Sequence, residues 1–325
     1  MIKVEGLTKR YGRITAVDNI SFGVEKGQIV GFLGPNGAGK TTTMRILTCF
    51  LPPSAGRATV AGFDVLEQPL EVKKHIGYLP ETPPLYPEMR VSEYLTFVAR
   101  LKGVARRDVP QRLNDACEKC AVGNVKNRII GQLSKGYRQR VGLAQAVIHN
   151  PDVLILDEPT TGLDPKQIIE TRQLIRNLAG EHTVIMSTHI LPAAEQTCQQ
   201  IIIIDKGKVV ANDSVQNLTR RLRGADAVAV EVASRDGALD HAAVQRRLEQ
   251  AQGVSRVKVL DSQDGLYTFE VEGLPDKQIR DEVARAIVEG GWRLHELRSL
   301  SQNLEQVFLE LTAATPEAAA EESAK

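Results

Sequence analysis

Residues 29–41 read Ile-Val-Gly-Phe-Leu-Gly-Pro-Asn-Gly-Ala-Gly-Lys-Thr, and this stretch decides the fold. It begins with a compact apolar run that shows little polar alternation, which is typical of a strand covered on both faces. The eight residues that follow fit the pattern G-x-x-x-x-G-K-[ST], and the sequence predicts a helix from residue 41 to residue 47. The pattern therefore predicts a phosphate-binding loop between a buried strand and a helix.

The residue types in this loop suit a nucleotide phosphate. Glycines let backbone N–H groups close around phosphate oxygens without Cβ clashes, and the helix start adds the positive end of its dipole. We expect Lys40 to neutralise the β- and γ-phosphates and the Thr41 hydroxyl to bind Mg²⁺. The alternative is a glycine-rich turn that binds nothing, and the flanking strand and helix count against it. The predicted nucleotide-binding residues are consecutive: Gly34, Pro35, Asn36, Gly37, Ala38, Gly39, Lys40, Thr41 and Thr42.

A second apolar run, at residues 153–156, ends in two carboxylates, Asp157 and Glu158. Ligands of open α/β sheets bind outside the carboxyl ends of the strands. At this position Asp157 is suited to a role at the metal, and Glu158 is suited to polarising an attacking water. Two acids after a strand, taken alone, have a purely structural role about half the time. Here they occur together with the phosphate-binding loop, which favours a role in catalysis or metal binding.

The arrangement of apolar runs predicts the fold class. Three buried runs alternate with helical patterns, which favours an α/β fold built on a parallel sheet. The runs are residues 29–33, 153–156 and 184–186. Strand-like alternation before the first run, with a turn after Tyr11, predicts an N-terminal antiparallel β subdomain. Residues 82–150 are mostly helical in pattern and are predicted to form an inserted helical lobe.

A different arrangement begins after about residue 225. Its predicted elements follow the order βαββαβ, which is that of a small α+β, ferredoxin-like unit. We therefore expect a first domain at residues 1–215, a linker at 216–225 and a C-terminal α+β domain at 226–312 that ends in a helix at 304–311. Residues 313–325 are low in complexity, which predicts a disordered tail.

The composition of the 325 residues is that of a soluble globular protein, with 42% apolar residues, 25% charged residues and a net charge of +1. This charge gives no reason to expect a nucleic-acid partner. The sequence has nothing close to the ~20 apolar residues that a membrane-spanning helix needs. Its first residues lack the apolar core of a signal peptide. We expect a cytoplasmic protein that acts at a membrane only through a partner.

Residues 133–140 read Leu-Ser-Lys-Gly-Tyr-Arg-Gln-Arg. This segment resembles the signature motif of ABC-transporter ATPases. That family's P-loop, glutamine loop, signature, Walker B, D-loop and histidine switch occur in this chain in the family's order, over about residues 1–215. The resemblance implies a P-loop NTPase of ABC type that binds ATP and Mg²⁺ and hydrolyses ATP.

The signature implies a second contact to the nucleotide. Ser134 offers a hydroxyl at a helix start, and Gly136 lets the backbone approach an anion. The resemblance implies that Ser134, Lys135 and Gly136 close over ATP held by a second copy, so that a head-to-tail homodimer sandwiches two nucleotides. Asp164, in the D-loop, would line the seam between the copies. A plain amphipathic helix start is the alternative.

Two more residues stand at positions where the family has residues that contact the nucleotide. Tyr11 occupies the aromatic position that stacks on adenine, although an aromatic residue before a glycine often only packs. His189 matches the histidine switch that contacts the γ-phosphate. A lone histidine after a strand usually has no such role, but this one lies about 30 residues after the two acids. Glu158 and His189 are therefore the predicted catalytic residues.

The chain departs from the family where glutamine is usual, because it has Glu81 there. A carboxylate adds negative charge beside the metal and the γ-phosphate, so it either binds Mg²⁺ directly or repels the nucleotide unless the metal neutralises it. The predicted metal-binding residues are Thr41, Glu81 and Asp157. The signature departs too, with Lys135 in place of the commoner glycine and Tyr137 in place of the commoner glutamine.

These departures and the appended C-terminal unit resemble the branch that pairs with ABC-2-type permeases. The branch implies a separate integral membrane permease, a place on the cytoplasmic face of the plasma membrane, and export. Residues 82–100, with Leu85 and Tyr86 exposed, would receive the permease, although an ordinary proline-rich loop is the alternative. The rival function is a non-transport ABC ATPase that acts on ribosomes or nucleic acid. The C-terminal unit could also be a ligand-sensing module.

Overall fold

A computed structural model describes residues 1–222, 227–234, 239–263, 266–274 and 277–299. The strands are β1 (Ile2–Tyr11), β2 (Ile14–Val24), β3 (Ile29–Leu33), β4 (Ala55–Val60), β5 (Phe63–Asp64), β6 (Ile76–Leu79), β7 (Val153–Asp157), β8 (Thr183–Thr188), β9 (Gln200–Asp205), β10 (Lys208–Ser214), β11 (Ala227–Ala233), β12 (Val254–Gln263), β13 (Leu266–Gly273) and β14 (Arg293–Ser299). The helices are α1 (Lys40–Leu47), α2 (Pro69–His75), α3 (Val91–Leu101), α4 (Val109–Lys119), α5 (Lys135–Val147), α6 (Pro165–Leu178), α7 (Leu191–Thr197), α8 (Val215–Leu222), α9 (His241–Glu249) and α10 (Arg280–Glu289). The chain divides into two compact units, Met1–Val215 and Gln216–Lys325.

The first unit is built on a sheet whose strand order is β10-β9-β3-β8-β7-β6. Strands β9, β3, β8, β7 and β6 run parallel, and β10 adds antiparallel to β9. Every residue of β3, β7 and β8 is buried, as their unbroken apolar runs require of strands covered on both faces. The prediction of an α/β fold on a mixed or parallel sheet is confirmed.

A second, antiparallel sheet of the first unit has the order β2-β1-β4-β5. Strands β1 and β2 form a hairpin whose last pair is Tyr11 with Ile14. The inward-facing residues of the hairpin, among them Leu7, Val17 and Ile20, join the core beneath α1. The predicted N-terminal antiparallel subdomain is therefore present, and β4 and β5 extend it.

Helices α3, α4 and α5 form the helical lobe, and α5 packs on the edge strand β6. The contact is close because an added Cβ on Gly77 would lie 2.0 Å from the carbonyl oxygen of Ala146. The lobe also satisfies the outer carbonyls of β6. Ile76 accepts hydrogen bonds from Lys102 Nζ at 3.2 Å and His149 Nε2 at 2.9 Å, and Tyr78 accepts one from Gln145 Nε2 at 2.7 Å.

The second unit has its own core and its own antiparallel sheet, with strand order β12-β13-β11-β14. The order along the chain is βαββαβ, and α9 and α10 pack with the sheet around Phe269, Val244 and Val283. The predicted ferredoxin-like arrangement is confirmed. The predicted linker at 216–225 is wrong in part, because α8 continues to Leu222. The helix predicted at 304–311 and the tail at 313–325 lie outside the described residues.

The longest helix among the described residues is α6, with 14 residues. At 1.5 Å per residue such a helix spans about 21 Å, whereas a bilayer core is about 30 Å thick. Within the described ranges no helix combines the length and the apolar character needed to span a membrane.

The close contact at Gly77 predicts a specific destabilisation. Gly77→Ala places a methyl group against the Ala146 carbonyl, which is backbone and has little room to move. We expect the variant to lose about 1–3 kcal/mol in the free energy of unfolding of the first unit, as overpacking usually costs. Denaturant unfolding measures the loss. Gly123→Ala is the matched control, because nothing lies within 4 Å of the added Cβ, and an equal loss in both variants would contradict the packing argument.

His149 predicts a dependence of stability on pH. Burial, with the nearby Lys102 charge, lowers the pKa of His149 to about 4. In the unfolded chain the pKa of this histidine is about 6.5. Between about pH 4 and pH 6.5 the unfolded chain therefore holds more protons than the folded chain. Stability from His149 is therefore fully present above about pH 6.5 and is lost as pH falls toward 4, by up to ~1.4 kcal/mol per pH unit.

His149→Gln removes the titrating group and keeps an amide that can donate to Ile76. We expect denaturant unfolding between pH 7 and pH 5 to show a shallower loss of stability in this variant than in the parent. His295→Gln changes an exposed histidine of the second unit and should leave the slope unchanged. Parallel pH profiles for the parent and His149→Gln would rule out His149 as the source.

Candidate nucleotide-binding site

A cleft of about 410 Å³ lies at the carboxyl edge of the central sheet. Residues that follow four adjacent strands, β3, β8, β7 and β6, meet in it, as ligand sites of open α/β sheets do. The volume is in the range of small-ligand pockets. The lining residues are Ala16, Asn36, Gly37, Gly39, Lys40, Thr41, Thr42, Glu81, Glu158, Thr161 and His189.

The loop between β3 and α1 depends on glycine at two points. Gly39 has φ +107°, a conformation that L side chains rarely adopt, and an added Cβ would lie 2.5 Å from the carbonyl oxygen of Ala16. At Gly34 an added Cβ would lie 2.3 Å from the carbonyl oxygen of Ile204. The backbone can therefore curl tightly at the start of α1, where helix N–H groups are free to bind an anion.

The ammonium group of Lys40 is enclosed by this loop, and only 6% of the residue is exposed. Its Nζ donates to the carbonyl oxygens of Gly34 at 2.8 Å and Pro35 at 3.1 Å. It also lies 3.4 Å from Oε1 of Glu158. The cation is thus held in place at the floor of the cleft by oxygens of its own chain.

Asp157 lies beside the start of α1. Thr41 Oγ1 donates to Asp157 Oδ1 at 3.3 Å, and Ser187 Oγ donates to the same oxygen at 2.5 Å. Ser187 Oγ also accepts the backbone N–H of Glu158 at 2.9 Å. A single buried hydroxyl therefore fixes both the carboxylate of Asp157 and the backbone of the next residue.

The oxygens of Thr41, Asp157 and Glu81 fit a magnesium ion bound together with a nucleotide. Within the described ranges, no three His, Cys, Asp or Glu side chains group as an all-protein metal cage. Mg²⁺ in phosphate sites does not need one, because it binds through one or two protein oxygens, substrate phosphates and water. Hard oxygen donors at the mouth of a phosphate-binding loop match that chemistry.

Glu158 has φ +49°, in the left-handed region, so its backbone is strained at the end of β7. Its carboxylate is mostly buried and has three partners. In addition to Lys40, His189 Nδ1 lies 3.1 Å from Oε1 and 3.0 Å from Oε2, and Thr161 Oγ1 donates to Oε2 at 3.1 Å. His189 is 40% exposed at its side chain, so it reaches from the cleft mouth to the carboxylate.

The signature residues lie apart from this cleft. Ser134 caps α5, accepting the Tyr137 N–H at 3.4 Å, and Asp164 caps α6, accepting the Gln167 N–H at 2.9 Å. The two helix starts are close together, because an added Cβ on Gly136 would lie 2.4 Å from Oε1 of Gln167. The positive ends of two helix dipoles are thus close together, and their capping residues do not line the cleft.

The structure brings most predicted site residues together and leaves others aside. Lys40, Glu81, Glu158 and His189 line one cleft, as do most residues of the loop. Other predicted residues support the cleft from behind or beneath: Gly34, Pro35, Ala38 and Asp157. The remaining ones do not line it: Tyr11, Ser134, Lys135, Gly136 and Asp164. Tyr11 is 45% exposed at the hairpin end, with Lys9 Nζ 5.4 Å from its ring centre.

The sequence motifs assign no role to two residues of the site, Thr161 and Ser187. A signal for Ser187 is present in the sequence, because β8 is an apolar run that ends in polar residues, as β7 does. The parallel register pairs Ser187 with Asp157. Thr161 lies three residues after Glu158 in a turn, and only the structure connects its hydroxyl to the carboxylate.

The chain is similar to known ATP-binding proteins. The sequence profile of the ABC transporter family matches residues 17–161. The chain is 35% identical over 313 residues to the daunorubicin resistance ATP-binding protein DrrA2 of Streptomyces coeruleorubidus, with 96% of this chain and 94% of the relative covered. It is 36% identical over 231 residues to the Nod factor export ATP-binding protein I of Ralstonia nicotianae, with 71% and 72% covered.

Among solved structures, the chain resembles the ATP-binding cassette MJ0796 in a dimeric post-hydrolysis state bound to ADP and Pi. The TM-score is 0.61 and the identity 25%, over 66% of this chain and 99% of that one. The phosphate-binding loop, the paired acids and the signature therefore occur together in a fold that binds ATP and hydrolyses it. The chain belongs to the ABC transporter family of ATP-binding proteins, and it is an ATP-hydrolysing subunit of that family.

Proposed function

We propose that the chain hydrolyses Mg²⁺-bound ATP in the 410 Å³ cleft and uses the hydrolysis cycle to drive a separate integral membrane permease. Lys40 binds the phosphates, Glu158 polarises the attacking water and His189 contacts the γ-phosphate. The observation that carries the proposal is that Lys40 and His189 both contact the carboxylate of Glu158 in a single cleft beside the glycine loop.

Nucleotide binding exchanges the partners of Lys40. In the resting chain its charge is balanced by two carbonyl oxygens and by Glu158. Phosphate oxygens carry full negative charge and bind an ammonium more strongly than carbonyls do. A triphosphate in the loop therefore takes over Lys40 and frees Oε1 of Glu158 to face the cleft, where a water can be oriented for attack.

Thr41, Asp157 and Glu81 hold Mg²⁺ in this proposal. The metal neutralises negative charge that develops on the phosphates. The hydroxyl of Thr41 already points to Asp157, so the two oxygens stand on one side of the site. Glu81 approaches from the end of β6 and brings a formal charge where the family usually has a neutral amide.

Two copies close the site between them. The face with Ser134, Lys135, Gly136 and Asp164 lies apart from the chain's own cleft. Its paired helix starts suit an anion, and a triphosphate held in the cleft of a second copy supplies one. Tyr11 would stack on the adenine from the exposed end of its hairpin. The dimeric state of the solved cassette MJ0796 supports this pairing.

The permease docks beside residues 82–100, which follow Glu81. Tyr86 is 45% exposed. Its ring packs edge-on against Tyr94, with 5.8 Å between the ring centres, and its centre lies 5.9 Å from that of the tilted Phe97 ring. Leu85, expected to be exposed, is half-buried. A cleft of about 440 Å³ between β6 and α5 adjoins this segment, and it is lined in part by Phe50, Tyr78 and Pro84.

In this proposal, a helix of the permease binds this surface. The bound chain then lies on the cytoplasmic face of the membrane. Export is the direction that the names of the relatives support, because one is named for daunorubicin resistance and another for Nod factor export. A ribosome- or nucleic-acid-acting ATPase is the second candidate. The net charge of +1 gives it no support, and co-purification with a membrane protein rather than with nucleic acid separates the two.

The role of Glu158 predicts a trapped state. Glu158→Gln keeps the size of the side chain but cannot accept the proton of the attacking water, so we expect turnover to fall about 10²- to 10⁴-fold. ATP then accumulates in a closed dimer, which light scattering after gel filtration detects. Lys40→Ala is the control that should neither bind nucleotide nor dimerise. Parental turnover in Glu158→Gln would remove Glu158 from the mechanism.

The carboxylate of Glu81 predicts an altered metal dependence. We expect Glu81→Gln to keep most of the ATPase activity at saturating Mg²⁺ and to need roughly three- to tenfold more Mg²⁺ for half-maximal activity, because a neutral amide is the weaker ligand. A Mg²⁺ titration of turnover measures the shift. Glu88→Gln, at an exposed position seven residues on that does not line the cleft, is the matched control. Superimposable titrations would exclude Glu81 from the metal site.

A further inference from the structure

Thr161 lines the nucleotide cleft, and the motifs assign it no role. Its hydroxyl donates to Oε2 of Glu158 at 3.1 Å. Its backbone N–H donates to the carbonyl oxygen of Glu158, also at 3.1 Å. Side chain and backbone of Thr161 are thus both hydrogen-bonded to the same residue within one tight turn, and the backbone bond keeps the hydroxyl close to the carboxylate.

The other two partners of the Glu158 carboxylate have a second task. Lys40, 3.4 Å from Oε1, turns to the phosphates when nucleotide binds, and His189, 3.0 Å from Oε2, contacts the γ-phosphate in the proposed mechanism. Both interactions with Glu158 therefore weaken when the site is loaded. Thr161 follows Glu158 on the same turn and has no such competing role, so its hydrogen bond can persist.

We propose that Thr161 is a positioning residue for ATP hydrolysis. Its hydroxyl anchors Oε2 of Glu158, which leaves Oε1 directed at the cleft as the atom that accepts the proton of the water. The water oxygen forms a bond to the γ-phosphorus, the bond to the ADP oxygen breaks, and the proton passes to Oε1 and then to solvent. This inference rests on the proposed role of Glu158.

The physical reason is the freedom of a glutamate side chain. Three rotatable bonds let the carboxylate sample many positions, and fixing it costs conformational entropy unless a contact already does so. A misplaced catalytic group loses much of its effect, and about 1 Å can cost roughly 100-fold in rate. A charge-assisted hydrogen bond is roughly twice as strong as a neutral one, so it is strong enough to select one orientation.

Two variants isolate the hydroxyl. Thr161→Val keeps the branched shape and removes the donor, and Thr161→Ser keeps the donor. We expect Thr161→Val to lower kcat about tenfold or more, with the KM for ATP and the affinity for a fluorescent ATP analogue unchanged within about twofold. Thr161→Ser should recover kcat to within about threefold of the parent. Thermal unfolding of both variants shows that the fold is kept.

Comparison with Glu158→Gln separates this inference from the proposed function. If Glu158→Gln is inactive and Thr161→Val turns over at the parental rate, the positioning role is refuted and the role of Glu158 stands. If Glu158→Gln keeps parental turnover, the proposed function fails first. Combining the two changes should be no slower than Glu158→Gln alone, since residues that act as a unit are not additive.

Other results would also overturn the role of Thr161. Equal losses in Thr161→Val and Thr161→Ser would show that keeping the hydroxyl does not keep turnover, so that the loss comes from altered packing of the turn and not from the hydrogen bond. A higher KM with an unchanged kcat would show that the hydroxyl serves the nucleotide and not Glu158. A double variant that is slower still than Glu158→Gln would show that Thr161 acts apart from the carboxylate.

Discussion

The buried charge of Lys40 is the constraint on which the site depends. A buried ammonium is costly unless it is paired and hydrogen-bonded, so the chain must supply oxygens around it. It does so with two carbonyl groups of the loop, at Gly34 and Pro35, and with Glu158. Inward-turned carbonyls require a tightly curled loop, and only glycine permits that curl at Gly34 and Gly39. The glycines of the loop and the acid after β7 are thus tied to one buried charge.

The same arrangement makes two buried charges compatible. The cation of Lys40 and the carboxylate of Glu158 neutralise each other at the floor of the cleft. Either charge alone would be costly to bury. Ser187 contributes from beneath, because its buried hydroxyl holds Asp157 and the strained backbone of Glu158 together. The precision of the site therefore comes from a strand pairing deep in the sheet as well as from the loops.

The sequence predicts those features that rest on local stereochemistry. The glycine loop, the buried strands and the acids after β7 each follow from neighbouring residues, and so does the βαββαβ order of the second unit. What the sequence does not predict depends on register and turns. The pairing of Ser187 with Asp157 follows from how β7 aligns with β8, and the bond from Thr161 to Glu158 follows from one turn. Helix α8 has apolar residues at helical spacing, Val215, Leu218 and Leu222, but with only eight residues it is too short for its pattern to be told from a linker. The signature residues are predicted as a group but lie away from the cleft. The resemblance assigns them to the nucleotide of another copy and not to the cleft of their own chain.

The side chains that cap β6 have a consequence for association. An edge strand with free carbonyl groups is a template on which a strand from another molecule can pair. Here Lys102, His149 and Gln145 occupy the outer carbonyls of Ile76 and Tyr78, and the backbone of α5 lies against Gly77. This border of the sheet is therefore closed to strand addition. Crowded copies of this protein are protected, along that border, from merging their sheets into a continuous cross-β ribbon.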